Sequence, residues 1–374
     1  MSALQLLCPG PPDWSLDWVA LDEAYDWVKA LRGCPQDPVY HAEGDVWIHT
    51  EMVLQCLAQN EAWRSSPEET RFEVFAAALM HDIAKPVCTR EEDGRISARG
   101  HSRVGSRMAR RILWGLNVPL ASRERIVAMI LHHQAPFFVI EKDDAVRRAI
   151  TMSQRLCCVH LGWVTLADGT GRRCDDQQRM LDNVALFAEF CAEHGCLNEP
   201  FRFANDHSRW VYFRRRDRDP HYAAYDDTRL RVTLMSGLPA SGKSHWVHKN
   251  AGAEPVITLD DIRARLGVAP GRSQSKVIEV AREQARQHLR KGESFIWNAT
   301  NISRDMREKV IALAAGYGAR IRIVYVEAPA DLMHERNAQR DNPVPQAPLE
   351  RMLRRWQVPD LTEAHELEWV ESGP

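Results

Sequence analysis

Val232-Thr-Leu-Met-Ser-Gly-Leu-Pro-Ala-Ser-Gly-Lys-Ser244 decides the fold of the C-terminal part of this chain. A short apolar, strand-like run enters Gly237-x-x-x-x-Gly242-Lys243-Ser244, and the helix-compatible run His245 to Lys249 follows. The glycines let the backbone turn with its N–H groups inward, Lys243 supplies charge for outer phosphates, and the Ser244 hydroxyl can ligate Mg²⁺. A helix N-terminus at that point favours an anion. A fortuitous Gly-rich turn is the alternative, but the strand before and the helix after are the context a phosphate loop requires. The motif starts almost two-thirds of the way along 374 residues, so a large domain precedes it.

From residue 231 onward, strand-like runs at Arg231–Met235, Pro255–Leu259, Ser294–Trp297 and Ala319–Val326 alternate with amphipathic helices. The helices are read at Ser275–Arg290, Ser303–Ala315 and Ala330–Ala338. That alternation predicts an α/β domain with a parallel sheet. Two constellations fall at strand ends, where such sheets bind ligands. In Thr258-Leu-Asp260-Asp261-Ile-Arg263, Asp260 can accept a proton from an attacking hydroxyl and Arg263 can bind an acceptor phosphate. One of the two aspartates can instead serve only to cap the helix Ile262–Leu266. In Arg336-Asn-Ala-Gln-Arg340, two arginines four apart share a helix face, and the Pro-rich exit to Pro345 reads as a lid. Arg336 and Arg340 can neutralise charge on a transferred phosphoryl group. Solvated helix charge is their plain alternative.

Residues 1–195 space apolar residues by three or four, at Asp17–Leu31, Glu51–Gln59, Arg71–Met80, Ser102–Trp114, Arg123–His133, Val146–Leu166 and Gln177–Phe190. This predicts an all-α first domain. Its histidines sit where packing alone does not call for them. His81-Asp82 ends an apolar run that carries Asp82 inward, and a buried Asp needs a partner or a metal. His49 and Asp168 complete a mixed N/O ligand set suited to Mn, Fe, Co or Ni rather than structural zinc. His101 with His132 and His133 can hold a second ion sharing Asp82, a pairing that activates water on phosphoesters. His41, His160 and His194 are read as surface or internally satisfied histidines.

Between these parts, 196–230 interleaves aromatics with Arg from Phe201 to Arg216. One reading is a nucleic-acid-facing segment. The alternation of Trp210 and Tyr212 with Val211 and Phe213 favours an interdomain strand or hairpin.

The composition, 44% hydrophobic, supports a sizeable core in two domains. A net charge of -2 excludes a global positive field, so any nucleic-acid partner must be met by local patches. Arg outnumbers Lys roughly five to one, which suits phosphate contacts and equally fits a GC-rich genome. Nine cysteines without a C-x-x-C pair read as free thiols in a reducing compartment. No apolar run approaches membrane-spanning length and no signal-peptide layout opens the chain, so a soluble, cytoplasmic protein without a membrane partner is expected.

His41-Ala-Glu-Gly-Asp-Val-Trp-Ile-His49-Thr, Ala77-Ala-Leu-Met-His81-Asp82-Ile-Ala-Lys85-Pro and Arg99-Gly-His101 together resemble the HD-domain phosphohydrolases. They look most like the HD domain of bacterial tRNA nucleotidyltransferases, without the nucleotidyltransferase head, so tRNA end addition is not implied. The resemblance implies a metal-dependent phosphatase and 2′,3′-cyclic phosphodiesterase with His49, His81, Asp82 and Asp168 as ligands and Lys85 on the substrate phosphate. Residues 231–360 resemble the polynucleotide kinase branch of the P-loop phosphotransferases. That implies Gly237, Ala240, Ser241, Gly242, Lys243 and Ser244 as the NTP loop with Mg²⁺. It further implies Asp260 as general base, Arg263 and Asn301 on the acceptor, and Arg336 and Arg340 in a lid. One departure is Asn298-Ala-Thr-Asn301, where that branch has Asp-Ala-Thr-Asn; it bears on whichever group the carboxylate would support, the metal or Arg263. The full order, 1–195, 196–230 and 231–374, resembles the bacterial HD-Pnk family of RNA and DNA end-healing enzymes. The implied substrates are RNA ends, with DNA ends as a variant, the implied donor is ATP or another NTP, and an RNA ligase is the natural partner. An HD nucleotidase joined to a small-molecule kinase is the alternative that the same residues allow. A non-catalytic nucleotide switch would need degraded catalytic positions, and neither site has them.

Overall fold

Apolar spacing of three and four in the first part, and apolar runs alternating with helices in the second, become two compact units, Met1–Arg202 and Phe203–Pro374. The computed structural model describes residues 3–269 and 274–373.

The first unit is built round the helix Glu68–Met80, whose residues from Phe72 to Met80 are all buried. A helix apolar on every side belongs in the middle of a bundle. Glu68 and Glu69 lie in its first turn, where acidic groups suit the helix dipole. Around it stand Val46–Ala58, Leu120–His132 and Cys158–Thr170, with His101–Gly115 packed on Leu120–His132. Asp45 caps the first of these, its carboxylate accepting from the Ile48 N–H at 2.9 Å. The end of the Cys158–Thr170 helix lies against Val46–Ala58 so closely that a Cβ at Gly171 would fall 2.7 Å from the Val53 nitrogen. The buried Glu73 accepts from Nε and Nη2 of Arg125 at 2.6 to 3.0 Å.

Three details depart from the sequence reading of this unit. The expected helix Asp17–Leu31 is two, Trp18–Ala24 and Asp26–Lys29, because Tyr25 is extended. Val146–Leu166 likewise divides into Ala145–Ser153 and Cys158–Thr170. The unit also carries a two-stranded antiparallel hairpin, β1 (Arg90–Glu92) and β2 (Arg95–Ser97), joined through Asp93 and Gly94, both with positive φ. Its charged strands face solvent, so no apolar alternation announced it.

The second unit holds five parallel strands: β3 (Leu230–Ser236), β4 (Val256–Thr258), β5 (Phe295–Asn298), β6 (Ala319–Glu327) and β7 (Glu366–Glu371). Their order is β4-β5-β3-β6-β7. The chain therefore leaves β3 in one direction and returns to its other side, and that reversal puts a crevice at the carboxyl end of β3. Strand β7 was not foreseen. It is an edge strand rich in Glu, held by Arg320–Glu366 and Arg322–Glu368 at 2.6 Å each. The helix Gln346–Arg355 was also missed.

Residues 206–214 form a helix, not the expected strand or hairpin. Asn205 caps it, accepting from the Ser208 N–H at 2.7 Å. His207 and Trp210, three apart, face the sheet, and Trp210 joins its core. Segment 203–230 therefore folds with the second unit, and its aromatics Trp210 and Tyr212 are core rather than a stacking surface.

Two buried polar groups brace this unit. Arg307, fully buried, meets Glu363 through Nε and Nη2 at 2.8 Å each. Its Nη1 donates to the Asn301 and Gln357 carbonyls at 3.1 and 2.8 Å. His365 accepts the Ile321 N–H on Nδ1 at 3.0 Å, so its Nε2–H points to His207 Nδ1 at 3.1 Å. Its ring stacks on Trp210 with centroids 4.5 Å apart.

Glu363→Ala leaves the Arg307 charge buried without its partner and should cost about 3–5 kcal/mol in urea unfolding. Burial pushes the His365 imidazole down to about 3, with Arg320 and His207 adding to the effect. The unfolded chain binds that proton near 6.5, so the contribution is complete above that pH and is lost as pH falls towards 3. Wild type should lose about 1.4 kcal/mol per pH unit from this group across that window. His365→Gln should show a shallower fall in urea midpoint between pH 6.5 and 4.5, and equal falls would assign the effect elsewhere.

Candidate functional site

His81, His101 and His133 stand at helix ends and are oriented alike. Each turns Nδ1 to a carbonyl three residues back: Ala78 at 2.7 Å, Ala98 at 2.8 Å and Ile130 at 2.8 Å. Only an N–H can satisfy a carbonyl, so Nδ1 carries a proton and, whenever the ring is neutral, Nε2 keeps its lone pair; burial alone would lower the His81 pKa, but Asp82 raises it. Those lone pairs converge on Asp82, which is 2% exposed. His81 Nε2 is 3.1 Å from Asp82 Oδ2, and His101 and His133 Nε2 are 3.2 and 4.0 Å from Oδ1. On the other side, His49 Nε2 lies 3.1 Å from Asp168 Oδ1.

Acceptors facing acceptors at such distances repel unless a proton or a cation lies between them. The buried atoms His81 Nε2, Asp82 Oδ1 and Asp168 Oδ2 have no hydrogen-bond partner, which is the pattern of ligands awaiting a metal. The donor atoms of His49, His81 and Asp82 lie within 4.8 Å of one another, as do those of Asp82, His101 and His133. Asp82 thus belongs to two adjoining sets. Both are nitrogen and oxygen only, which fits a divalent transition metal. Burial pushes His133 down to about 3, with His81 and His101 adding to it, and it lowers His101 against the pull of Asp82. Burial alone would raise the Asp82 carboxyl, but His81 and Lys85 hold it well below the usual range. Neutral imidazoles and an ionised carboxylate are the forms that bind metal.

Lys85 reaches Asp82 Oδ2 at 2.7 Å, Gln36 Oε1 and, at 3.5 Å, His41 Nε2. Of the adjacent pair, His133 enters the site and His132 belongs to neither set. Consecutive helical side chains diverge by roughly 100°, so only one of them can. Gln36, His41, Glu43 and Arg172 are the polar neighbours that the sequence reading left out. His41, taken for an ordinary histidine, is 9% exposed and donates from Nδ1 to Glu43 Oε1 at 2.8 Å. Arg172, just past the end of the Cys158–Thr170 helix, donates to Asp168 Oδ1 at 2.7 Å, and their spacing of four was the available signal.

At the carboxyl end of β3 the phosphate loop takes positive φ at Gly237 (146°), Ala240 (61°) and Gly242 (98°). Alternation of this kind makes a nest of inward N–H groups. The Gly237 N–H donates to the Thr300 carbonyl at 2.9 Å. Lys243 curls back on the loop, donating to the Gly237 and Leu238 carbonyls at 3.0 and 2.6 Å. Burial pushes its ammonium down to about 7, with Asp260 opposing. Ser241 is buried beneath the loop and Ser244 is open to solvent. No carboxylate bonds to Lys243 directly among the described residues, so an anion entering the loop would relieve it.

Asp260 and Arg263 lie beyond β4 and are hydrogen-bonded to each other, with Arg263 also on Gln274 Oε1 at 2.8 Å. Asp260 is exposed in the first turn of Leu259–Arg265, and Thr258 rather than either aspartate is the N-cap residue. Asn298, 7% exposed, closes β5 opposite Thr258. Asn301, expected on the acceptor, is engaged by the backbone. It is 4% exposed, its φ is 42°, and its amide donates to the Met235 carbonyl at 2.8 Å. Its own carbonyl takes Ser236 Oγ at 3.0 Å and Arg307. Asn301 therefore supports the phosphate loop from below. Arg336 is held by Ser372 Oγ at 3.0 Å and by the Gly373 carbonyl, and Ser372 Oγ donates to the Ser241 carbonyl at 2.9 Å. Arg340 is exposed, and its charge reaches Lys243.

A Cβ at Gly237 would fall 2.2 Å from the Val326 carbonyl. Gly237→Ala should therefore abolish NTP binding, a loss of at least tenfold in Kd by calorimetry, while metal uptake by the first unit is unchanged.

Two family models match this chain, one described as the HD domain over residues 46–158 and one described as an AAA domain over residues 232–359. The Multifunctional CCA protein of Halorhodospira halophila is 37% identical over 106 residues, 28% of this chain and 23% of that protein. The CC-adding tRNA nucleotidyltransferase of Thermus thermophilus is 33% identical over 131 residues, 34% of this chain and 28% of that protein. The chain thus spans about a quarter of the length of the curated relatives it matches. Among solved structures, a sugar kinase from Janibacter sp. aligns with a TM-score of 0.31 and 16% identity over 38% of this chain and 85% of that one. Kti12 of Chaetomium thermophilum, in complex with ADP-AlF3, aligns with a TM-score of 0.30 and 16% identity over 37% and 88%. No helix among the described residues is long and apolar enough to cross a membrane. The chain thus joins a helical unit that the HD-domain model matches to a parallel-sheet α/β unit that carries a phosphate loop and that the AAA-domain model matches.

Proposed function

We propose that this chain is a bifunctional enzyme that heals RNA ends. The first unit removes 2′,3′-cyclic, 2′- or 3′-phosphates, and the second transfers the γ-phosphate of an NTP to a 5′-hydroxyl. The observation that carries the reading is the cluster of Asp82 with His49, His81, His101, His133 and Lys85 in the same chain as a complete phosphate loop. One site takes phosphate off and the other puts it on. One relative is named a CC-adding tRNA nucleotidyltransferase, which favours RNA as the polymer.

A divalent ion held by His49, His81, Asp82 and Asp168, with a second on Asp82, His101 and His133, would supply Lewis acidity and an acidified water. Lys85, already oriented by Asp82, binds the phosphate oxygens and offsets their growing charge. In the second unit the loop N–H groups and Lys243 bind the donor phosphates, and Ser244 binds the Mg²⁺ of the NTP. Arg263 takes the acceptor phosphate and so leaves Asp260. Asp260, freed of its partner, accepts the 5′-hydroxyl proton as that oxygen attacks the γ-phosphorus and the nucleoside diphosphate departs. Arg340 and Arg336, the latter released from Ser372, balance the charge of the transferred group. A 3′-terminal diol and a 5′-phosphate are the substrates of an RNA ligase, the expected partner in a cytoplasmic repair setting.

The test is an RNA carrying a 5′-hydroxyl and a 2′,3′-cyclic phosphate, incubated with enzyme, Mn²⁺, Mg²⁺ and ATP, and analysed at each end. Asp82→Ala should abolish 3′-end hydrolysis and leave the 5′ reaction intact, whereas Asp260→Ala should do the reverse. Each loss should exceed about a hundredfold. Phosphorylation of nucleosides or sugars in preference to oligonucleotide would replace this reading with a small-molecule kinase.

A further inference from the structure

Outside the two sets that share Asp82, the donor atoms of His41, Glu43 and His49 also lie within 4.8 Å of one another. Gln36, His41 and Glu43 all precede the helix Val46–Ala58. Glu43 Oε1 accepts from His41 Nδ1 at 2.8 Å and lies 2.9 Å from His49 Nδ1, an ion-pair contact outside hydrogen-bond geometry. Glu43 Oε2 accepts the Arg173 backbone N–H at 2.9 Å, just beyond the helix that carries Asp168. The Ala42 N–H donates to the Arg173 carbonyl at 2.9 Å, so the two segments are doubly tied. His41, held by Glu43, places Nε2 3.5 Å from Lys85 Nζ.

One carboxylate therefore touches three parts of the centre: the ring of His49, the end of the Asp168 helix and, through His41, the lysine beside Asp82. His49 differs from the other three histidines in this respect. Theirs are oriented by backbone carbonyls within their own helix ends, which no substitution can remove. Only His49 depends on a side chain.

We infer that Glu43 is the positioning carboxylate of the HD centre, setting His49 Nε2 towards the metal and holding the Asp168 helix and Lys85 in register with it. This rests on the metal-centre reading above. A carboxylate behind a ligating imidazole fixes its ring and raises its basicity, and losing one costs about 10–100-fold in metal affinity or activity. His41 is a positioning residue too, acting on Lys85 and so on substrate rather than on metal.

Chelator-stripped full-length protein titrated with Mn²⁺ by equilibrium dialysis tests the assignment. Thermal unfolding of the stripped protein serves as the control for folding. Glu43→Ala should raise the Mn²⁺ Kd about 10–100-fold with unchanged stoichiometry, and excess Mn²⁺ should restore hydrolysis. Glu43→Gln keeps one acceptor oxygen and should lose less. His41→Ala should leave the Mn²⁺ Kd within twofold and raise KM for the phosphoester. An unchanged Mn²⁺ Kd in Glu43→Ala would overturn the assignment. So would the loss of one whole equivalent of Mn²⁺, which would make Glu43 a ligand. A fall in melting temperature of the stripped variant with no change in Mn²⁺ affinity would reduce Glu43 to a structural residue and overturn it equally. A wild-type protein that takes up no Mn²⁺, Co²⁺ or Ni²⁺ would instead remove the metal-centre reading, and Glu43 with it.

Discussion

Asp82 is an anion carried to the middle of a helical bundle, and the arrangement of the first unit follows from that. An ionised carboxylate removed from water costs several kcal/mol unless charge and hydrogen bonds replace the lost solvent. Lys85, one helical turn on, supplies the nearest charge at 2.7 Å. The remaining compensation must come from other helices, and it does so as nitrogen lone pairs rather than as N–H groups. His81, His101 and His133 have already spent their N–H groups on backbone carbonyls. A bundle that buries an anion and surrounds it with lone pairs is incomplete without a cation. The part of the helix that delivers His81 and Asp82 to the centre, Phe72–Met80, is buried throughout.

The second unit solves the opposite problem. Its phosphate loop gathers N–H dipoles and one ammonium, and it stores backbone strain at Ala240, whose φ of 61° costs a non-glycine residue of order 1–3 kcal/mol. Strained segments persist only when their surroundings over-determine them. The support is the turn after β5: Thr300 receives the Gly237 N–H, and Asn301 bonds to Met235 and Ser236. That turn is in turn fixed by Arg307, locked on Glu363. The buried ion pair contributes specificity of position where its net contribution to stability is small.

Much of this was legible in the sequence because it is periodic or local. Helical spacing located the bundle, the change of period located the sheet, and Gly237 to Ser244 and His81-Asp82 are contiguous motifs. What escaped was of two kinds. Strand β7 and the hairpin Arg90–Ser97 are charged edge structures, which pair by backbone and ion pairs and so show no apolar pattern. The helix Asp206–Arg214 was read as a strand because four apolar residues in succession fit either period; Asn205, its cap, was the discriminating residue. The outer residues of the metal centre are the other kind. Gln36 and Glu43 meet Lys85 and Arg173 across 49 and 130 positions, and no local pattern encodes a tertiary contact. The choice between His132 and His133 needed the helix end itself.

Asn301 shows how a residue of a recognisable motif can be engaged by its own backbone surroundings. A conspicuous Asn at a strand end beside a phosphate loop reads as a ligand contact, since loops at strand ends carry function. Yet a residue with φ of 42° must be held there, and Asn is among the few side chains that tolerate this while also bonding to backbone. The amide is spent on Met235, so what it offers substrate is indirect: the placement of Gly237 and of the loop that follows. Asn298, three residues earlier, is also buried and neutral. A carboxylate there would have added an anion beside a loop whose purpose is to attract one. With an amide in that place, Asp260 is the carboxylate whose charge opposes the effect of burial on Lys243.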